Sequence, residues 1–177
     1  IIVLQTEYKM RVMKFGGTSV GSAVQIRKVA GLIGNKSPKI VVLSAMSGTT
    51  NTLVEIAGTL KDGDRFRFGE LVGQLEFKYV ETVNDLFGTE SCRRLAVDGM
   101  TDCFRTLWKM PQAGYTPENE KVILAQGELL STLLMHLCLK EMNIESVVLP
   151  ALEFMRLGGN GDPDGRFIRR NLCKYLR

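Results

Sequence analysis

Three short apolar runs punctuate the chain: MRVMKF at 10–15, KIVVLSAM at 39–46 and ESVVLPAL at 145–152. The second and third are continuous and β-branched, as expected of strands covered on both faces of a parallel sheet. Between the runs, apolar residues recur every three to four positions, the period of a helix face turned to a core. Ser22 is placed to cap a helix running to about Leu32, with Val24, Ile26, Val29, Ala30 and Ile33 as apolar positions. A second helix begins near Asn51 and carries Leu53, Val54, Ile56, Ala57 and Leu60. Residues 70–109 read as two longer helices broken near FGTES, the first marked by Leu71, Leu75, Tyr79, Val83 and Leu86. Thr116, Pro117 and the acids after them form a helix start, which predicts a helix over 117–142 with a stripe at Leu130, Leu133, Leu134 and Leu137. LGGNGDPDG, at 157–165, reads as a flexible loop. Strand, helix, strand, helices, strand is an α/β layered pattern.

Composition narrows the classes. The 177 residues suit one domain, and 45% hydrophobic with 24% charged residues suits a globular one. The net charge of +4 comes from 23 basic and 19 acidic residues spread along the chain, which gives no case for nucleic acid but suits an anionic substrate. The densest basic run is Arg166, Arg169, Arg170, Lys174 and Arg177, which a solvated helix face explains as well as a partner does. Cys92, Cys103, Cys138 and Cys173 form no CxxC pair and His136 is the single histidine, so neither zinc nor a disulfide framework is indicated and the expected compartment is reducing. Cys92 and Cys103 are eleven residues apart, about three helical turns, and read as small buried hydrophobes sharing one helix face. No run reaches the ~20 apolar residues that span a membrane, and IIVL at the start is too short for a signal core. The expectation is a cytoplasmic protein without membrane or nucleic-acid partners.

Three segments carry candidate chemistry. In KFGGTSVG, Lys14 ends a strand and is followed by Gly16, Gly17, Thr18 and Ser19. Glycines let backbone N–H groups approach an anion, the next residues open a helix whose start favours negative charge, and Lys14 can add a positive charge. The spacing is neither GxxxxGK[ST] nor GxGxxG, and on spacing alone a phosphate cradle and a plain strand-to-helix turn stand level. VVLSAMSGTTNTLVEIA, at 41–57, repeats the design with Ser44, Ser47, Gly48, Thr49, Thr50 and Asn51 at a strand end. Ligands of parallel α/β sheets bind outside the carboxyl ends of strands, so two such loops can converge on one ligand. The plain alternative is that Thr50 or Asn51 caps the helix. In LAQGELLSTLL, at 124–134, Glu128 stands in an otherwise apolar helical region. A buried carboxylate there needs a partner, such as a substrate ammonium; a solvent-facing or backbone-bonded glutamate is the other reading.

Together MRVMKFGGTSVG, VVLSAMSGTTNTLVEIA and AQGELLSTLL resemble the aspartate kinases, members of the amino-acid kinase fold, and VVLPALEFMR resembles the strand after their glutamate helix. The resemblance runs from about Met10 to the last residues. It implies a three-layer α/β (carbamate kinase-like) fold with a mainly parallel sheet, represented here by its N-terminal portion. It implies transfer of the γ-phosphoryl group of ATP, carried with Mg²⁺, to the side-chain carboxylate of L-aspartate, the step that opens lysine, threonine and methionine biosynthesis. By the same resemblance, Lys14 is catalytic and contacts the transferring phosphoryl group. The backbone of Gly16 and Gly17, with Thr18 and Ser19, holds phosphates. Ser44, Gly48 and Thr50 line the substrate pocket, and Glu128 pairs with the aspartate ammonium. The full-length protein is expected to be a homo-oligomer.

Three departures qualify this expectation. The family's arginine for the aspartate α-carboxylate, its nucleotide-base half and its regulatory ACT domains have no counterpart in the chain. Leu157 and Gly158 replace polar positions of an Arg-Thr-Asp-like run. Residues 1–9 precede the family start, leaving Met10 as initiator and an added segment as equal readings, with 10–177 as the kinase portion. Two alternatives stay open: another amino-acid kinase, and a non-catalytic remnant that binds a small anion or a partner chain.

Overall fold

A computed structural model describes residues 10–35 and 37–175; the readings of residues 1–9 and of Arg177 fall outside it. The described chain divides between Ser146 and Val147 into two compact units. In the first, β1 (Arg11–Phe15) and β2 (Lys39–Leu43) pair in parallel, with Val12 opposite Ile40 and Lys14 opposite Val42. Helix α1 (Ala23–Ile33) is the crossover between them. Ser22 Oγ accepts the Gln25 N–H at 3.3 Å and caps α1 as expected. Val24 was assigned to the apolar face, yet it is 62% exposed, while Ile26, Val29, Ala30 and Ile33 are buried. Positions 26, 29, 30 and 33 already complete one stripe, and 24 points away from it.

Among the described residues, both strands are covered on one side only. Met13, Phe15, Val41 and Leu43 pack on the core, while Val12 and Val42 face outward. Two-faced burial, expected from the apolar runs, does not occur among the described residues. The helices pack against a single face of the pair, so the alternation of the pleat divides each strand into an inner and an outer set.

Four long helices supply most of the core: α2 (Thr49–Asp62), α3 (Arg65–Leu86), α4 (Glu90–Ala113) and α5 (Pro117–Glu141). The break expected near FGTES lies at residues 87–89 and is held by Glu141, which accepts the Thr89 hydroxyl and N–H at 2.8 Å each and the Gly88 N–H at 3.3 Å. Thr116 Oγ1 accepts the Asn119 N–H at 3.0 Å and Pro117 opens α5, as its start signal predicts. The Tyr79 and Phe104 rings meet in an edge-type arrangement with centroids 6.1 Å apart, joining α3 to α4 inside the core. Cys92 and Cys103 share α4, the first buried and the second half-buried. Helix α5 is, among the described residues, long and apolar enough to cross a membrane by length and composition, although polar residues interrupt its apolar runs. Within the fold it is a core helix: Ile123, Leu130, Leu134, Met135 and Cys138 are buried against its neighbours.

The third expected strand does not form. Residues 144–150 run without ladder partners among the described residues, and Ala151–Phe154 is a single helical turn, α6. An apolar run becomes a strand only when a neighbour completes its hydrogen bonds, and Pro150 offers no N–H. Val147 is accordingly 78% exposed. In the second unit, Asp164 caps α7 (Gly165–Leu172) by accepting the Phe167 N–H at 3.0 Å, and it also pairs with Arg156. Arg156 lies 4.3 Å from the centre of the Phe167 ring. The loop over 157–165 is closed by a bridge between Leu157 and Pro163. Arg166, Arg169, Arg170 and Lys174 are exposed, in keeping with a solvated face.

Candidate active site

Parallel pairing brings the carboxyl ends of β1 and β2 side by side. The chain leaves β1 through Gly16 into a 3₁₀ turn, Gly17–Val20, and leaves β2 through residues 44–48 into α2. The two exits are stitched together: the Ser44 N–H donates to the Phe15 carbonyl at 3.0 Å. A Cβ on Gly17 would sit 2.8 Å from the Ala45 carbonyl oxygen, so the loops touch backbone to backbone there and admit no side chain. Gly16 differs. An added Cβ would meet nothing within 4 Å, and its φ of −77° suits any residue. Fold packing therefore explains Gly17, while nothing in the described fold calls for glycine at position 16.

Helix α5 closes the site from the other side. Gly127 is buried, and a Cβ there would stand 2.6 Å from Ala45 Cβ and 3.3 Å from Thr49 Cγ2. This contact draws α5 onto the second loop and carries Glu128 with it. Glu128 Oε1 accepts the Ala45 N–H at 3.3 Å, while the side chain stays open to solvent. The carboxylate is thus backbone-bonded and solvent-facing. Among the described residues Oε2 has no donor, which leaves it available to a cation.

The remaining candidates are placed as follows. Lys14 is exposed on the outer face of β1 and forms no ion pair among the described residues. Thr18 is exposed and Ser19 half-buried on the 3₁₀ turn, whose first bond runs from the Ser19 N–H to the Gly16 carbonyl at 2.9 Å. Ser44 is half-buried between the loops; Thr50 is exposed in the first turn of α2. That helix begins at Thr49, earlier than Asn51, and neither Thr50 nor Asn51 caps it. The cap is Gly48, in the left-handed region at φ 79°, with no side-chain hydrogen bond. The structure therefore joins the β1 exit, the β2 exit and Glu128 through direct contacts, with Lys14 and Thr50 at their strand and helix ends. Among the described residues no group of three or more His, Cys, Asp or Glu could hold a metal ion. A hollow of about 160 Å³ lined by Leu60, Asp64, Phe68 and Pro111 lies at the far end of α2, away from these loops.

A sequence profile of the amino acid kinase family matches residues 9–175. The chain belongs to that family. Among curated relatives of the chain, the lysine-sensitive aspartokinase 3 of Escherichia coli K12 is 27% identical over 157 residues, covering 86% of the chain and 34% of the relative. The aspartokinase of Chlamydia trachomatis is 31% identical over 161 residues, covering 87% of the chain and 35% of the relative. The E. coli aspartokinase III structure determined with aspartate and ADP superposes with a TM-score of 0.68 at 25% identity, covering 95% of this chain and 38% of that one. The same enzyme with lysine and aspartate gives a TM-score of 0.72. The fold is the α/β amino acid kinase fold with a parallel sheet, and the chain spans about a third of the length of these aspartokinases.

Two residues of this kinase fold were not among the sequence candidates. Lys78 Nζ donates to the Ser47 carbonyl at 2.7 Å, and burial pulls its pKa below the usual lysine value. The Tyr79 hydroxyl lies 3.2 Å from Thr49 Oγ1, with the ring fully buried and the phenol pushed by burial up to about 12. By sequence Tyr79 reads as one apolar position of α3, and Lys78 is given no role. The only sequence signal was a polar-tipped aromatic inside an apolar stripe, since such groups seek a partner when buried.

Proposed function

We propose that the chain is the N-terminal part of an aspartate kinase, residues 10–177 forming the portion of the kinase domain that carries the phosphoryl and amino-acid contacts. The reaction is transfer of the γ-phosphoryl group of ATP to the side-chain carboxylate of L-aspartate. The observation that carries the reading is the joining of two glycine- and hydroxyl-rich strand exits with Glu128 at one place, in a fold matched by an aspartokinase solved with aspartate and ADP.

The substrate carboxylate is itself the nucleophile, so the protein's part is positioning and charge stabilisation. Lys14 brings a positive charge to the β1 exit and neutralises charge growing on the phosphoryl oxygens. The open side of Gly16 lets phosphate oxygens approach the backbone, with Gly17, Thr18 and Ser19 continuing that edge. Ser44, Gly48 and Thr50 line the pocket from the β2 exit. The free oxygen of Glu128 receives the substrate ammonium. ATP supplies the phosphoryl group. Mg²⁺ would be carried by ATP, held mainly by its phosphate oxygens, and would add positive charge at the transferring group. A cytoplasmic, homo-oligomeric full-length enzyme is part of the same proposal.

The test is nuclear magnetic resonance of the isotope-labelled chain titrated with L-aspartate and with Mg-ATP, together with ATP-dependent aspartyl-hydroxamate formation. Shifts are expected at the amides of Gly16, Gly17, Ala45 and Gly48, with Glu128→Gln removing the response to aspartate and Lys14→Ala the response to nucleotide. Shifts confined to other surfaces would reject the assignment.

A further inference from the structure

The second loop is gripped by groups to which the proposed chemistry gives no task. Lys78 and Tyr79 are consecutive on α3 and reach opposite flanks of Gly48: the ammonium takes the Ser47 carbonyl at 2.7 Å, and the phenol meets the Thr49 hydroxyl at 3.2 Å. An ideal Cβ on Gly48 would stand 3.8 Å from Lys78 Nζ, so the ammonium lies against the left-handed turn itself. Lys78 has no carboxylate within ion-pair distance among the described residues. A half-buried ammonium spent on one carbonyl is a costly way to hold a loop, because it gives up hydration without a counter-charge. The start of α2 has no side-chain cap, so the direction of its first N–H groups depends on the turn before it.

We propose that Lys78, backed by Tyr79, is the positioning residue of the β2 exit. It fixes the turn at Gly48, and through it the angle at which Ser44, Thr50 and the first N–H groups of α2 face their ligand. Glu128 ties Ala45 on the opposite side of the loop, so α3 and α5 hold it between them. The inference rests on the reading of this loop as the substrate loop.

Amide hydrogen exchange on the 177-residue chain tests it. The Thr49 and Thr52 N–H groups are bonded to Met46 and Gly48 carbonyls, and the Ala45 N–H to Glu128, so all three report on the loop. Lys78→Met is expected to speed exchange there by about tenfold, the factor matching one net hydrogen bond, with α4 and α5 unchanged. Lys78→Arg, which can donate to the same carbonyl, restores protection. Tyr79→Phe, which keeps its ring against Phe104, gives the same local pattern. L-Aspartate affinity, measured by calorimetry, falls with Lys78→Met and recovers with Lys78→Arg. Unchanged exchange in Lys78→Met, or a rise spread equally over α4 and α5, overturns the proposal. A local rise supports it even if the unaltered chain binds no L-aspartate, a result that counts against the substrate reading alone.

Discussion

Adjacent glycines at the β1 exit answer to different demands. Gly17→Ala forces a methyl to within 2.8 Å of the Ala45 carbonyl, a backbone atom that cannot step aside without moving the loop. The expected cost is about 1–3 kcal/mol, the usual range for overpacking. Gly16→Ala places its methyl in open space at an ordinary φ, so stability should hold or rise by about 0.5 kcal/mol through the unfolded chain. Anion binding should nevertheless weaken, because the methyl occupies the path to the backbone. Urea melts paired with Mg-ATP titrations of both variants check this; equal destabilisation, or full binding by Gly16→Ala, would refute the division of roles. The sequence made both glycines visible as a pair but could not separate them, since the difference lies in a loop 28 residues away along the chain. Glu128 was legible for a similar reason and to a similar depth. A carboxylate in an apolar helix marks itself, yet its bond to the Ala45 N–H depends on Gly127 packing against that loop.

Among the elements, the helices were the most readable. Ser22 and Thr116 cap where their positions predict, because a cap is a local event between residues three apart. The junction of α3 and α4 was visible as a break, but its fastening was not: Glu141 comes from the far end of α5. Burial pushes the Glu141 carboxyl up, and hydrogen bonds from the Thr89 hydroxyl, the Thr89 N–H and the Gly88 N–H outweigh it, leaving the pKa below the ordinary 4.5. A depressed folded-state pKa stabilises fully above the unfolded value and is lost as pH falls through the folded one. Glu141→Gln should therefore cost about 1 kcal/mol at neutral pH, a charge-assisted bond discounted for exposure, with the gap closing as pH drops below 4.5. Denaturation midpoints of both proteins across that range measure it, and a gap independent of pH would contradict the electrostatic part. The failed strand at 145–152 shows the opposite limit. Its apolar, β-branched residues state a preference, while the ladder that would satisfy it has to come from elsewhere in space.

At the scale of the molecule, the β1–β2 pair has a side that is bare among the described residues. Parallel sheets are normally covered on both faces, yet Val12 is 68% and Val42 44% exposed, and among the described residues no third strand extends the pair. An outer face with Val12 and Val42 exposed beside Lys14, and with unpaired strand edges, is a template for association, and a net charge of +4 is a weak deterrent. The chain should therefore self-associate, its sedimentation coefficient rising with protein concentration. Val12→Thr with Val42→Thr keeps β-branched shape while making the outer face polar, so the double variant should sediment as a monomer with its circular dichroism unchanged. The inner residues Met13, Phe15, Val41 and Leu43 remain packed, so the substitution tests the face and leaves the core alone. Concentration-independent sedimentation of the unaltered chain would show that the bare face is tolerated in water. An association that survives the double substitution would move the contact to another surface.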